Sequence, residues 1–203
     1  MSSRVLLVLI GALGAGVLLG QLFPVPPPST LPQPASASAI GSDVIDFELT
    51  VHDGSTLYAS DLREKALLVF FGYTHCPDIC PTTLVEMAAV KRALGPTSSN
   101  FRGLFITVDP ERDTPERLAT YVNHFDDELL GLTGSAQQIA TAAKAFGAAY
   151  ERGDDVAGGG YLMGHSGFGY LVAPGGTLYA VFPTGTPADE IEASVRALVS
   201  ADG

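Results

Sequence analysis

Cysteine is scarce in this sequence, and tryptophan is absent from it. The 203 residues include two cysteines, Cys76 and Cys80, and no Trp on which a family signature could depend. A structural disulfide framework uses more cysteines, spread more widely along the chain. Two cysteines four positions apart are instead typical of a redox pair or of part of a metal site.

Positive charge is also scarce. The chain has 11 Lys and Arg against 22 Asp and Glu, a formal net charge of −11. Nucleic acids and anionic lipid surfaces are bound through positive charge, so the composition argues against both as partners. With 46% apolar residues the composition is globular rather than disordered, and the acidity favours solubility.

The N-terminal part differs from the rest in composition, because Arg4 is its only charged residue before Asp43. Val5–Phe23 is an apolar run of about the length that crosses a bilayer, roughly 20 residues. A cleaved signal peptide and an uncleaved signal anchor both fit this pattern. We favour the anchor, because the run is longer than the signal-peptide core of about 7–15 residues.

The resulting domain organisation has three parts. Residues 1–23 are predicted to be the signal anchor, residues 24–42 a Pro/Ala/Ser-rich, semi-rigid linker, and residues 43–203 a domain. Arg4 would stay in the cytoplasm by the positive-inside rule, which puts the domain outside the membrane. No Arg-rich transit peptide precedes the apolar run, so we expect a single-pass protein of the bacterial inner membrane with its domain in the periplasm.

The domain pattern predicts an α/β fold. Apolar runs over 66–73 and 101–108 are typical of strands buried on both faces, and short hairpins are predicted over 47–58 and 168–182. Helices are predicted over 81–94, 113–125, 136–146 and 187–199, with a Gly-rich loop over 158–167. This order predicts a thioredoxin-like fold with a mixed central sheet and flanking helices.

The cysteine pair falls between the first core strand and its helix. A helix N-terminus favours negative charge, so the pKa values of both thiols are expected to fall.

Thioredoxin-type oxidoreductases have two residues between their cysteines, whereas three residues separate Cys76 from Cys80, which lets both sulfurs face one metal ion. Thiolates suit Cu(I), and an added imidazole makes a site competent for Cu(II). Structural zinc usually has four protein ligands, and no second cysteine pair is present.

The imidazole must come from His52, His75, His124 or His165. His52 is expected in a surface turn, His75 to point away from the site if Cys76 points into it, and His124 near a helix end. His165 lies in the predicted Gly-rich loop just before a strand, and in a thioredoxin-like plan that loop faces the cysteines. We therefore predict His165 as the third ligand; its structural alternative is a histidine bonded to a neighbouring carbonyl.

Three stretches of the domain match one known family. They are FGYTHCPDICP (Phe71–Pro81), VDPERDTPERLATYV (Val108–Val122) and GHSGFGYLVAPGG (Gly164–Gly176). In order and spacing they closely resemble the SCO/SenC family, and the resemblance covers about residues 43–200. The combination of these motifs is far more specific than a lone cysteine pair.

The resemblance implies a ligand set and a partner. Family members are membrane-anchored copper proteins with a thioredoxin fold, which help to build the dinuclear copper site of cytochrome c oxidase. By resemblance, Cys76, Cys80 and His165 are the copper ligands, the bound metal is Cu(I), Cu(II) or both, and the partner is the copper-site subunit of the oxidase. Members commonly carry Asp before the ligand histidine to orient the imidazole, whereas Gly164 stands there in this chain.

Residues close to the motifs are expected to have structural roles. Asp78 is predicted to cap the helix after the cysteines. Asp109, Arg112 and Asp113 are predicted to form a salt-bridged turn that holds the loop after the second core strand near the site. Met163 offers a thioether, although a Met at such a position usually packs in the core.

Two functions of different classes use the predicted site. A monomeric copper metallochaperone would carry the ion to the dinuclear copper site, whereas a thiol–disulfide reductase would keep the cysteines of that site reduced through Cys76 and Cys80. The three-residue spacing and the predicted role of His165 favour the metallochaperone. A copper-responsive sensor or a peroxide-detoxifying thiol protein is a third interpretation.

Overall fold

The computed structural model describes residues 43–155 and 159–199. The predicted anchor and linker, residues 1–42, lie outside these ranges. Within the described ranges, the helices are too short or too polar for any of them to cross a bilayer.

Strands and helices alternate along the described residues. In chain order they are β1 (Glu48–Val51), β2 (Thr56–Tyr58), β3 (Ala66–Gly72), α1 (Ile79–Leu94), β4 (Phe101–Thr107), α2 (Pro115–Asn123), β5 (Leu130–Thr133), α3 (Ala136–Phe146), β6 (Tyr150–Asp155), β7 (Tyr161–His165), β8 (Phe168–Val172), β9 (Leu178–Pro183) and α4 (Ala188–Val199).

Seven strands form one mixed sheet in the order β2-β1-β5-β4-β3-β8-β9. β3, β4 and β5 are parallel neighbours, whereas β8 is antiparallel to both β3 and β9, and β1 is antiparallel to both β2 and β5. All residues of β3 are buried, as its continuous apolar run predicts. This arrangement confirms the predicted α/β fold with a mixed central sheet and flanking helices.

The helices are placed so that one of them, α1, follows the carboxyl end of β3. α1 connects β3 to β4 and packs with α4 and β3. α2 packs on β5, where Gly131 lies close to Leu118 and Val122 of the helix. The turn between β3 and α1 therefore lies at the sheet edge where α/β proteins commonly bind ligands.

The predicted loop over 158–167 is wrong for residues 161–165. Tyr161–His165 is strand β7, and it pairs with β6 in a separate antiparallel hairpin. Tyr150 of β6 lies opposite His165, and Glu151 lies opposite Gly164. Burial alternates along β7, because every second side chain from Tyr161 faces the domain.

Candidate metal centre

The structure brings together the three residues that the sequence predicts as metal ligands. The sulfurs of Cys76 and Cys80 and a ring nitrogen of His165 all lie within 4.8 Å of one another. Nε2 of His165 is 3.5 Å from Sγ of Cys80. Two elements that are far apart in the sequence therefore converge at the carboxyl end of β3.

The cysteines are positioned by the connection between β3 and α1. β3 ends at Gly72, and a tight turn follows in which the Cys76 amide donates to the Tyr73 carbonyl at 3.2 Å. α1 begins at Ile79, so Cys80 lies in its first turn. Asp78 occupies the N-cap position, but its side chain accepts no capping hydrogen bond. The predicted capping role of the Asp78 carboxylate is therefore wrong.

Cys80 is completely buried near the carboxyl end of β3. A Cβ atom added at Gly72 would lie 2.8 Å from the Cys80 sulfur, so only glycine leaves room for the thiol at this position. Burial raises the pKa of Cys80 well above its ordinary value. The prediction that this pKa falls is wrong, because desolvation of the thiolate outweighs the favourable field of the helix N-terminus.

His165 is the last residue of β7 rather than part of a loop. Its ring makes edge-on contacts with Phe70 and Tyr73, with both centroids 5.8 Å away. Nδ1 lies 3.2 Å from the Ser166 carbonyl. Because a carbonyl only accepts, the proton belongs on Nδ1, which leaves the Nε2 lone pair facing the Cys80 sulfur. The predicted alternative, a histidine bonded to a neighbouring carbonyl, thus occurs together with the ligand geometry.

Burial also sets the charge of the imidazole. It lowers the pKa of His165 below the ordinary value of 6.5, although the backbone carbonyls of Ser166 and Phe71 oppose the shift. The ring is therefore neutral at neutral pH, as a metal ligand must be.

The predicted salt-bridged turn after β4 is present beside the cysteine loop. Arg112 forms an ion pair with the buried Asp109. The carboxylate of Asp113, also fully buried, accepts from the Thr74 amide at 2.9 Å and from the Thr74 hydroxyl at 2.6 Å. The turn is thus tied directly to the segment that carries Cys76.

The remaining histidines have other contacts. Nδ1 of His52 accepts from the Gly131 amide at 3.0 Å, which joins β1 to β5. His124 is exposed at the C-cap position of α2. His75 points away from the cysteines toward Arg117 and Asp113. Ring and carboxylate atoms of His75, Asp109 and Asp113 form a second compact group, but its carboxylates already accept the hydrogen bonds of the salt-bridged turn.

The sequence analysis singled out two residues of β7, Met163 and Gly164. Met163 is half-buried and packs against the core, the structural role that the sequence predicts. At Gly164, where the resemblance predicts aspartate, an added Cβ would lie 3.2 Å from Cγ and 3.5 Å from Oε1 of Glu151. A carboxylate from β6 therefore occupies the neighbourhood of the missing aspartate side chain.

The donor set fits a soft metal ion. Two thiolates and one neutral imidazole are the ligand types that copper prefers. For a metal ion ~2.3 Å from sulfur and ~2.0 Å from nitrogen, tetrahedral geometry separates the two ligand atoms by roughly 3.5 Å. The distance between Cys80 Sγ and His165 Nε2 matches this separation.

Part of the chain is similar in sequence to curated proteins. Protein SCO2 homolog, mitochondrial, from Bos taurus is 44% identical over 123 residues, which are 60% of this chain and 46% of the relative. The chain thus spans about half the length of this curated relative.

Solved structures agree with the sequence relatives. ScoI from Bradyrhizobium japonicum with copper bound is 35% identical with a TM-score of 0.70, covering 76% of this chain and 98% of that one. BsSco, a member of the Sco family of cytochrome c oxidase assembly proteins with an identified disulfide switch, is 27% identical with a TM-score of 0.66, covering 81% of this chain and 97% of that one.

The family assignment rests on most of the chain. The SCO1/SenC family model matches residues 35–200, a range that includes the cysteine pair, the turn after β4 and the hairpin that carries His165. The predicted resemblance is confirmed: the chain belongs to the SCO1/SenC family.

Proposed function

We propose that Cys76, Cys80 and His165 bind copper, and that the protein is a metallochaperone that delivers it to the dinuclear copper site of cytochrome c oxidase. The convergence of two sulfurs and the free imidazole nitrogen within 4.8 Å carries this proposal. The copper-bound ScoI and the oxidase assembly role of the Sco family support the choice of metal and pathway.

The two cysteines have different roles in loading and release. The Cys80 thiol is buried and holds its proton tightly, so loading Cu(I) must displace that proton. Cys76 is only half-buried and is the ligand that a partner thiolate reaches first. When the partner sulfur bonds to Cu(I), the Cys76 sulfur leaves the ion and takes up a proton. Cys80 and His165 hold the ion until a second partner group replaces them.

His165 contributes a fixed, neutral nitrogen. Its Nδ1 proton is donated to the Ser166 carbonyl, and the rings of Phe70 and Tyr73 restrict the imidazole. A nitrogen held in this way completes a site of low coordination number. An incoming ligand can then bind before any existing ligand has left.

The proposed function includes a cellular location and a partner protein. We place the protein in the bacterial inner membrane, anchored by residues 1–23, with the domain in the periplasm as a monomer. The partner is the copper-site subunit of the oxidase, which the linker over residues 24–42 would allow the domain to reach.

A thiol–disulfide reductase is the second candidate, because the two sulfurs lie close enough to exchange with a disulfide and BsSco has a disulfide switch. The burial of Cys80 and its raised pKa disfavour this candidate, since the thiolate is the nucleophile in exchange. The neutral imidazole of His165 also supplies no positive charge to stabilise a thiolate, whereas its lone pair can bind a metal ion.

A competition titration separates the two functions. The full-length chain in detergent is reduced and titrated with Cu(I) against a chelator, and the variants are Cys76→Ser, Cys80→Ser, His165→Ala and the matched control His75→Ala. We expect tight binding of copper in the wild type and the control, its loss in both cysteine variants, and weakening by more than about tenfold in His165→Ala.

The same proteins are tested for reduction of a disulfide in the partner's copper-site loop. A reductase retains this activity in His165→Ala, whereas a copper carrier loses copper transfer in that variant. Unchanged copper affinity in Cys80→Ser, together with full reductase activity in His165→Ala, would replace the metallochaperone proposal with the reductase.

A further inference from the structure

His165 is carried by a hairpin that is separate from the main sheet. Within residues 43–155 and 159–199, β6 and β7 pair only with each other, and most side chains of β6 are exposed. A two-stranded hairpin is marginally stable by itself. The position of the imidazole over the cysteines must therefore depend on the contacts that attach β7 to the rest of the domain.

Tyr161, at the opposite end of β7 from His165, makes several of these contacts. Its side chain is buried, and its hydroxyl donates to Oδ1 of Asp109 at 2.7 Å. The ring lies between two guanidinium groups, with Arg112 Cζ at 3.6 Å and Arg152 Cζ at 3.8 Å from its centroid. Nη1 of Arg112 also donates to the Tyr161 carbonyl at 2.9 Å.

A continuous hydrogen-bonded path leads from Asp109 to the cysteine loop. The Asp109 amide donates to the Thr107 hydroxyl oxygen at 3.0 Å, and that hydroxyl donates to Oδ2 of Asp113 at 2.6 Å. Asp113 in turn accepts both hydrogen bonds from Thr74, two residues before Cys76. Thr107, Asp109 and Asp113 are buried, so solvent does not compete for the hydrogen bonds among them.

We propose that Tyr161 is a positioning residue for the metal centre, which fixes β7 to the salt-bridged turn and thereby sets the distance between His165 and the cysteine pair. This inference rests on the proposed function, because it concerns the same ligand set. Tyr161 and His165 are four residues apart on one strand, a separation of about 13 Å. A small rotation of the strand at Tyr161 therefore displaces the imidazole.

The hydroxyl and the ring of Tyr161 are expected to contribute separately. Tyr161→Phe retains the ring between the guanidinium groups and loses the hydroxyl's bond to Asp109 and its longer bond, at 3.5 Å, to Oε2 of Glu111. Tyr161→Leu loses both contacts. The matched control is Tyr58→Phe, because Tyr58 is 47% exposed and lies on β2, at the edge of the sheet.

The first measurement needs no metal. Amide hydrogen exchange of the apo full-length chain in detergent is compared between the hairpin, residues 150–155 and 159–165, and strand β3. We expect faster exchange of the hairpin in Tyr161→Phe and faster still in Tyr161→Leu, with exchange of β3 unchanged in Tyr161→Phe. This outcome is independent of whether the chain holds copper.

The second measurement reports on the ligand set. Removing a contact that holds a metal ligand in position typically weakens metal binding by about 10–100-fold, so we expect about tenfold for Tyr161→Phe and nearer 100-fold for Tyr161→Leu. Electron paramagnetic resonance of the Cu(II) form should show reduced nitrogen hyperfine coupling, while thiolate-to-copper absorption persists. Tyr58→Phe should match the wild type in every readout.

The outcomes that contradict the two proposals differ. Wild-type hairpin exchange, or wild-type copper affinity and nitrogen coupling, in a folded Tyr161→Phe protein would overturn the positioning role. Failure of the wild-type chain to hold copper would overturn the proposed function, and the exchange data would still decide whether Tyr161 fixes the hairpin.

Discussion

Gly72 gives the most direct link between one position in the sequence and the geometry of the site. A Cβ atom added there would lie 2.7 Å from Cε2 of Phe105, 2.8 Å from Sγ of Cys80 and 3.1 Å from Cε1 of Phe70. Gly72 does not have a positive φ, so alanine is compatible with the backbone. The effect of Gly72→Ala is therefore steric.

The size of the effect follows from these distances. Ordinary contacts between such atoms are about 3.5–4.0 Å, so the neighbours must move by roughly 1 Å. Phe105, Cys80 and Phe70 are each fully buried, so they cannot move aside into solvent. Overpacking of this kind costs about 1–3 kcal/mol of unfolding free energy. Because a site tolerates displacements of only about 0.5 Å, we also expect copper affinity to fall by about tenfold or more.

A neighbouring glycine provides the control. Gly169 lies opposite Phe70 on β8, and a Cβ added there makes only an ordinary contact, 3.6 Å from Leu68 Cδ1. Urea unfolding of the apo protein and Cu(I) competition are measured for Gly72→Ala and Gly169→Ala in parallel. We expect Gly169→Ala to match or slightly exceed wild-type stability. Wild-type stability and copper affinity in Gly72→Ala would show that packing at Gly72 does not constrain the Cys80 sulfur.

Two further predictions concern pH and helix capping. Burial raises the pKa of Cys80 above 9.0, so the folded apo protein keeps this proton at a pH where the unfolded chain releases it. Unfolding free energy should therefore fall by about 1 kcal/mol between about pH 9 and about pH 10, and a slope unchanged in Cys80→Ala would contradict this. Ser135→Ala removes the hydrogen bonds of its side chain with Gln138 at the start of α3 and should lower unfolding free energy by about 1 kcal/mol. Copper titration of that variant should show wild-type affinity, and a loss there would contradict a purely local role.

Elements with strong local signals were predictable from the sequence. The bounds of α3 agree with the prediction because Ser135 and Gln138 form a capping box and Gly147 ends the helix in a left-handed conformation with φ 67°. β3 and β4 agree to within one residue, because continuous apolar runs suit strands buried on both faces.

The β6–β7 hairpin was not predicted, for identifiable physical reasons. β6 has the sequence YERGDD, which is exposed and contains residues with low strand propensity. Glycines on both sides of Tyr161 favour interpretation of the segment as a loop. The alternation of Tyr161, Met163 and His165 on one face of β7 was the available signal, and it is short.

The chemistry of the site was predictable only in part. The convergence of Cys76, Cys80 and His165 follows from the cysteine spacing and from where the fold places His165. The pKa of Cys80 did not follow, because a helix N-terminus is visible in the sequence but complete burial of the sulfur beside Gly72 is not. The role of Tyr161 was also missed, since it depends on contacts with residues about 50 positions away along the chain.

X-ray absorption at the copper edge of the Cu(I)-loaded full-length chain identifies the atoms that bind the ion. We expect two sulfur neighbours and one nitrogen neighbour in the wild type, with the nitrogen lost in His165→Ala and retained in His75→Ala. A spectrum without sulfur neighbours, or a nitrogen neighbour that persists in His165→Ala, would contradict the proposed site.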